Sequence, residues 1–321
     1  MARRVLVTGV GGAGGFDLAR ALVRLGCEVL VADSDPFAPG LLLPEVTAYV
    51  VPRADHEAFR STVLDVCAAA RPDVLIPTVE AELPELLALR PQLADLGVTT
   101  WLPGRSVIEA CADKYRFAAV LTEHGIPAPC TVLPDEIDRI PDGRLVVKPR
   151  RGQGARGVHT CRTREQARVL CDLVPDALVQ EHVTGREFTA DCLVDRTGRA
   201  SIVLRYRLLV KGGLAFVSRT FTDPLTEQCV RATLTATGLS GACCVQGFVR
   251  DADGPLSVVV TEANARVAGA FLTAEAAGAD YTGQLLRGLF HQDVDHDRLA
   301  YAPGVTLSRY IETLTSQESP R

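Results

Sequence analysis

The feature that most constrains the fold stands at residues 5 to 22, VLVTGVGGAGGFDLARAL: an apolar run of strand type, a glycine-dense turn and a helical pattern in immediate succession. A short β-rich run followed by an amphipathic helix packs stably against a parallel neighbour, so this order calls for a βα unit. The turn holds Gly9, Gly11 and Gly14 in the spacing of a dinucleotide fingerprint. Two readings follow. The glycines can cradle a pyrophosphate, with Asp33 at the end of the next strand as a ribose ligand, or they can simply let the chain turn and the helix pack closely.

The alternation continues through EVLVADSD, HEAFRSTVLDVCAAA, DVLIPT and LPELLAL, which predicts a doubly wound parallel sheet over residues 1–108. Asp113 to Gly125 reads as a helix with Asp113 at its start and Gly125 as its stop, followed by extended IPAP. From about residue 126 strand signals dominate, including LVVKP, GVHTC, ALVQEHV, REFTADCLV, ASIVLRYRLLV and LAFVSRTF, with helices at EQARVLCDL and TEQCVRATLTATG. Two further strands, ACCVQGFVRD and LSVVVTEANAR, are expected to be joined by a turn at Ala252, Asp253 and Gly254, and a helical segment around AEAAGADYTGQLLRGLF follows.

Charge and cysteine usage narrow the function classes. The 321 residues include 34 basic and 39 acidic side chains, a formal net charge of -5, mixed along the sequence without a polybasic stripe. Nucleic acid and anionic lipid are therefore not the expected partners. No run approaches the ~20 apolar residues of a membrane span, and the apolar run near the start is too short for a signal sequence, so a cytoplasmic protein is expected. The ten cysteines lack metal-ligand spacing and read as buried thiols. His291 and His296 fall in an acidic segment and read as solvated rather than metal-bound.

A second glycine loop carries more information than the first. In VVKPRRGQGARGV, residues 146 to 158, a strand delivers Lys148 and the glycines Gly152, Gly154 and Gly157 expose backbone N–H groups that can close on phosphate oxygens. The spacing is not that of a P-loop, and strands on both sides predict a hairpin; a mobile surface hairpin is the competing view. Downstream, Gln180-Glu181-His182-Val183 ends a strand where backbone groups can meet a base edge, and Glu187 can accept from ribose hydroxyls. Gln246 on one strand precedes Glu262, Asn264 and Arg266 at alternate positions of its partner. Period two places these three on one face, where oxygen donors suit Mg²⁺ and the guanidinium suits a phosphoryl group.

As an ordered set, Lys114, Lys148 with its loop, Glu181 to Val183, Glu187, Gln246 and Glu262-x-Asn264-x-Arg266 resemble the ATP-grasp superfamily, and most of all one module of the carbamoyl-phosphate synthase large subunit and its smaller relatives. The likeness covers nearly the whole chain and includes ADKYRFAAVLTEHGIPAP, similar to the segment joining the first lobe to the lid. It implies an α/β protein of ATP-grasp fold: a Rossmann-like N-terminal domain over 1–108, a β-rich lid subdomain with its linker helix over 109–183, and a C-terminal mixed sheet with the metal strand over 184–321.

The resemblance implies roles residue by residue. Lys114 and Lys148 contact ATP phosphates, Gly152, Gly154 and Gly157 form the closing lid, Glu181, His182 and Val183 bind adenine, and Glu187 holds the ribose. Gln246, Glu262 and Asn264 are the implied Mg²⁺ ligands, with Mn²⁺ as an alternative ion, and Arg266 stabilises the transferred phosphoryl group. Relatives often read Asn-Pro-Arg before a glycine-rich run, where this chain has Asn264-Ala265-Arg266-Val267. The implied activity is a carboxylate ligase that makes an acyl phosphate and couples it to an amine or thiol, on an amino acid or a carrier, with a homodimer as the candidate assembly.

The acid is weakly encoded. Arg205 and Arg207 share a strand face and Lys211 stands beside two glycines, so one of them can bind the substrate carboxylate; ordinary solvated charges are an equal reading. Glu80 and Glu82 follow a strand of the first lobe, at the carboxyl edge where open α/β sheets bind ligands, and can receive an amine; helix-start acids without a ligand are the alternative. Two other functions compete: an NAD(P)-dependent Rossmann oxidoreductase built on the first glycine loop, and a catalytically silent nucleotide-binding relative. The first lacks a Tyr-x-x-x-Lys pair, and against the second both lysines and the metal strand are present.

Overall fold

A computed structural model of the chain describes residues 2–152, 154, 156–250 and 257–315. The expected turn at Ala252 to Gly254 lies outside the described residues. The first lobe begins with β1 (Arg4–Thr8), α1 (Ala13–Arg24), β2 (Glu28–Asp33), β3 (Val46–Val50), α2 (Phe59–Ala70) and β4 (Val74–Pro77). The four strands lie parallel in the order β3-β2-β1-β4, and Thr99 bridges in parallel to Val74 at the open side. Every residue of β4 is buried, as expected for a strand covered by helices on both faces. Helices α3 (Leu83–Ala88) and α4 (Arg90–Asp95) follow, each with proline in its first turn, where the missing N–H costs no hydrogen bond.

Helices α5 (Arg105–Ala112) and α6 (Lys114–Glu123) connect the lobes, and Asp113 separates them. Its carboxylate accepts from the backbone N–H groups of Tyr115 and Arg116, capping α6, while Gly125 follows the helix at φ +64°. Ile108, Phe117 and Leu121 from these helices join Leu6, Leu75 and Leu83 of the first lobe to Phe188, Val245 and Val260 of the C-terminal sheet in one core. The linker is thus part of the packing rather than a tether.

The lid is a separate antiparallel sheet, ordered β5-β8-β6-β7, built from β5 (Thr131–Val132), β6 (Leu145–Pro149), β7 (His159–Cys161) and β8 (Ala177–Glu181), with α7 (Arg164–Leu173) across it. Its own core is small: Val132, Ile137, Leu145, Val147, Ala167 and Val179 are among its buried members. At about 1.5–3 kcal/mol for each large aliphatic side chain buried, such a core holds the lid together without anchoring it to the rest.

The C-terminal sheet has six strands in the order β13-β12-β9-β10-β11-β14. Its members are β9 (Arg186–Val194), β10 (Ala200–Lys211), β11 (Leu214–Thr220), β12 (Gly241–Val249), β13 (Val258–Asn264) and β14 (Thr306–Ser308), with α8 (Pro224–Thr237), α9 (Leu272–Ala276) and α10 (Tyr281–Leu289) packed around it. Expected to be mixed, this sheet is antiparallel at every described pairing. The long helical segment expected near the end divides between α9 and α10, separated by Gly278 at φ +103°. His296, expected to be solvated, instead has its side chain only 4 % exposed, its ring spanning Ser201 Oγ at 2.7 Å and Asp195 Oδ2 at 3.1 Å. There it ties the β9–β10 hairpin to the segment after α10.

Candidate active site

The first glycine turn is closed by protein on one side. Asp33, the ribose ligand of the dinucleotide reading, accepts from the Gly11 N–H at 2.6 Å and the Asp35 N–H at 3.0 Å. A Cβ on Gly14 would lie 3.5 Å from the Gly269 Cα, because the segment after β13 packs on the start of α1. Arg309 fastens this contact, donating to Asp17 and to the Gly269 carbonyl at 2.6 Å each. The Gly14 side of the turn thus packs on the chain's own backbone, as the tight-packing reading of these glycines expects, while Gly11 and Gly12 are exposed.

The second glycine loop roofs a cavity of about 360 Å³ between the lid and the C-terminal sheet. Lys114, Lys148, Gly152, Gly154, Glu181, His182, Val183, Glu187, Gln246, Glu262, Asn264 and Arg266 all border it. Gly157 does not; at φ +67° it shapes the return of the loop against Pro149. Lys148 leaves β6 on the same face as Val146, as strand alternation requires, and its Nζ donates to Gln180 Oε1 at 2.8 Å. Burial pushes this ammonium down to about 8, with the Glu262 charge opposing the shift and the Lys114 charge adding to it. Lys114, in the first turn of α6, reaches the loop itself: its Nζ donates to the Gly152 carbonyl at 2.8 Å.

Asp113 ties the start of α6, which carries Lys114, to the segment that follows Lys148. Its buried carboxylate accepts from Arg150 Nη2 at 2.5 Å and Arg151 Nη2 at 3.3 Å while capping the helix that carries Lys114. Burial opposes its ionisation, but the Arg150 hydrogen bond, the Arg116 N–H and the two guanidinium charges prevail and hold the carboxyl below the usual range.

On the floor, Gln246 and Glu262 are direct partners across β12 and β13, and the register shifts immediately beyond them. Asn264 Oδ1 accepts from Arg266 Nη2 at 3.1 Å. Gln246 Oε1 accepts from Arg207 Nη1 at 2.7 Å, so this expected metal ligand already serves a guanidinium. Both amide oxygens of the expected metal set thus accept from a guanidinium, and Glu262 is its carboxylate member. One carboxylate with an amide oxygen fits Mg²⁺, which usually takes one or two carboxylates and completes its shell with phosphate and water. Among the described residues no group of three His, Cys, Asp or Glu side chains is arranged to hold a metal by protein alone. Burial raises Glu187, as does the Glu262 charge, against the opposing charge of Arg207.

The five residues expected at the substrate end separate. Arg205 is 2 % exposed and closed in a bidentate pair with Asp191, at 2.6 and 3.0 Å. Its guanidinium is used within the sheet, so it does not bind a substrate carboxylate; removing one partner of such a pair costs about 3–5 kcal/mol. Lys211 lies at the end of β10 with its Nζ 4.9 Å from the Phe216 ring centroid, outside the cavity lining, because the bulges near Leu209 break strand alternation. Glu82 turns inward, accepts from the Thr8 hydroxyl and is likewise outside the lining. Arg207 and Glu80 do line the cavity. Glu80 Oε1 is buried without a hydrogen-bond partner, and burial lifts its carboxyl to about 7, aided by Glu262 and opposed by Arg266 and Lys114.

Sequence reasoning gave no role to Arg151, Arg156, Cys111 or Phe248, which also border the cavity. For the two arginines, their place in the glycine loop was the available signal. Cys111 and Phe248 lie on separate elements, and nothing local marks them.

Fold and site together define an ATP-grasp protein. Residues 111–270 match the model of an ATP-grasp domain, and residues 5–101 match that of a PylC-like N-terminal domain, so the chain carries an ATP-grasp domain behind a PylC-like domain. No curated protein matches in sequence. Among solved structures, L-amino acid ligase from Bacillus licheniformis shares 18% identity at a TM-score of 0.70, over 89% of this chain and 74% of that one. N5-carboxyaminoimidazole synthetase from Staphylococcus aureus, complexed with ADP, gives 14%, 0.72, 92% and 79% in the same order. Biotin carboxylase from Campylobacter jejuni, a β,γ-ATP complex, gives 14%, 0.70, 95% and 72%. At these identities the likeness establishes the fold.

Proposed function

We propose that the protein is an ATP-dependent ligase that phosphorylates a small carboxylate and couples the acyl group to an amine or thiol, releasing ADP and phosphate. The observation that carries this reading is the convergence of Lys114, Lys148, Arg266 and Glu262 on one cavity beneath a glycine-rich roof. Such a set neutralises a triphosphate, aligns its terminal phosphoryl group and excludes water from a hydrolysable product. The structural neighbours named as ligases agree with it.

In this reading, Glu181, His182 and Val183 meet the adenine at the strand end and Glu187 takes the ribose. Lys114 and Lys148 hold the phosphates, and the Lys114 bond to Gly152 couples phosphate binding to the position of the roof. Mg²⁺ on Glu262 and Asn264, when bound, supplies charge neutralisation at the transferring phosphate. A carboxylate oxygen of the acid attacks the γ-phosphorus and ADP departs; Arg266 faces the charge that develops. The nucleophile then attacks the acyl carbon, the C–O bond to phosphate breaks, and inorganic phosphate leaves. Glu80, entering from the first lobe with an unpartnered oxygen, stands where an incoming amine can be received. A cytoplasmic location and a homodimer as the candidate assembly belong to the same proposal. Among the described residues no helix is long and apolar enough to cross a membrane.

Incubation with ATP, Mg²⁺ and hydroxylamine over a panel of carboxylic acids tests the proposal. A ligase gives hydroxamate and stoichiometric ADP with at least one acid. NADH binding together with no calorimetric signal for ATP would overturn it in favour of an oxidoreductase, whereas ATP binding without ADP formation across the panel would leave a silent relative.

A further inference from the structure

Arg266, which faces the transferring phosphoryl group in the ligase reading, is held by its immediate neighbours. Its Nη1 donates to the Val267 carbonyl at 3.1 Å and its Nη2 to Asn264 Oδ1 at 3.1 Å, while its Nε is buried without a partner. Where the guanidinium points therefore depends on where Val267 stands. Val267 and Ala268 belong to neither helix nor strand, so no ladder of backbone hydrogen bonds fixes them. A void of about 20 Å³, bordered by Ala265, Arg266 and Val267, leaves one side of this segment without packing partners.

The segment is fastened at its far end by a residue from much later in the chain. Arg309, next after β14, is anchored by its backbone N–H on the Phe216 carbonyl of β11 at 2.8 Å, and its Nη2 serves two acceptors, Asp17 Oδ2 on α1 and the Gly269 carbonyl, at 2.6 Å each. With Arg309 15 % and Asp17 9 % exposed, solvent screens this pair little. One planar guanidinium thus joins the first lobe, the C-terminal sheet and the turn that follows Arg266.

We propose that Arg309 is a positioning residue: by holding the Gly269 carbonyl against α1 it fixes the Val267 carbonyl, and through it aims Arg266 at the terminal phosphate of a bound nucleotide. Arg309 itself touches no substrate. A merely structural tie, the competing view, would stabilise the fold without favouring the third phosphate over the first two. This inference rests on the nucleotide reading of the cavity and on the phosphate role of Arg266, and adds the residue that orients it.

The test titrates the full chain by calorimetry with ADP and with a non-hydrolysable ATP analogue, both with Mg²⁺, and compares the ratio of the two affinities across variants. Arg266→Met is expected to lower the preference for the analogue at least tenfold. Arg309→Met is expected to lower it at least threefold with ADP affinity within twofold of the wild type, and Arg309→Lys to restore part of it. If the two residues act as one unit, the double variant falls no lower than Arg266→Met alone. An unchanged ratio in Arg309→Met, equal losses for both nucleotides, or additive losses in the double variant would overturn the inference while leaving the nucleotide reading intact. An unchanged ratio in Arg266→Met would remove the role of Arg266 and the inference with it, and a wild type that binds neither nucleotide would sink the nucleotide reading as well. Should Arg309→Met fail to fold, Asp17→Asn keeps the guanidinium but weakens its anchor; it is expected to lower the ratio in the same sense, and an unchanged ratio there would equally refute the role of Arg309.

Discussion

A Cβ placed on Gly15 would stand 2.4 Å from the carbonyl oxygen of Gly9 and 2.8 Å from Thr78 Oγ1, a hydroxyl that itself bonds that carbonyl. At Gly14, a member of the dinucleotide spacing, the closest atom would be 3.5 Å away. Gly15, outside the fingerprint, is thus as tightly held as Gly9 within it, whose Cβ would stand 2.4 Å from Val79 Cγ2 at a φ of +74°. Gly15→Ala is expected to destabilise by about 1–3 kcal/mol through overpacking, whereas Gly14→Ala should be tolerated. Denaturant midpoints of the two variants decide this, and equal loss in both would contradict it.

Lys148 gives a pH dependence whose direction follows from its environment. With its ammonium lowered to about 8, the positive charge facing phosphate is present below that pH and lost as pH rises through it. The KM for ATP should climb between pH 7 and 9.5. Lys148→Arg, whose guanidinium stays charged, should flatten that profile, and Lys148→Ala should abolish ADP formation while leaving the circular dichroism spectrum unchanged.

Asp113 joins the linker to the lid, and its carboxyl is held below the usual range by Arg150 and Arg151. A depressed folded-state pKa contributes stability that is present above the unfolded value and lost as pH falls through the folded one. Acid melting curves should therefore show this loss in the wild type and not in Asp113→Asn. At neutral pH that substitution is expected to cost about 1–3 kcal/mol, because buried donors on the arginines and on the α6 N-terminus lose a charged acceptor.

Glu82 has the opposite sign. Burial lifts its carboxyl to about 7, with the Asp33 charge adding and the Thr8 hydrogen bond opposing. Its favourable contribution is complete below the unfolded pKa and disappears as pH rises through the folded value. Glu82→Gln should therefore gain on the wild type between pH 5 and pH 8, by as much as about 3 kcal/mol for a shift of this size. A difference in melting temperature that stays constant over that range would be evidence against the burial argument.

The order of motifs was legible because each rests on local chemistry. Asp113 before a helical pattern and Gly125 after it mark α6 without any tertiary information, and strand alternation placed Glu262 and Asn264 on one face of β13. The parallel first sheet and the lid hairpin followed from periodicity in the same way. Periodicity could not supply the partner strand. Arg205 and Arg207 have the same spacing and the same residue type, yet Asp191 on β9 closes around one, while Gln246 on β12 and the carbonyl of Gly213 at the hairpin end hold the other at the cavity.

The two glycine loops divide the same way. Sequence alone determined that both are turns with exposed backbone donors, since glycine's conformational freedom is a property of the residue. Which of them faces an open cavity was decided by packing over long range. The segment from Val267 to Gly269, far along the chain, packs against Gly14 of the first, whereas Lys114 and the C-terminal sheet leave room beneath the second. Local sequence encodes what a turn can offer; whether space remains in front of it depends on every element that packs there.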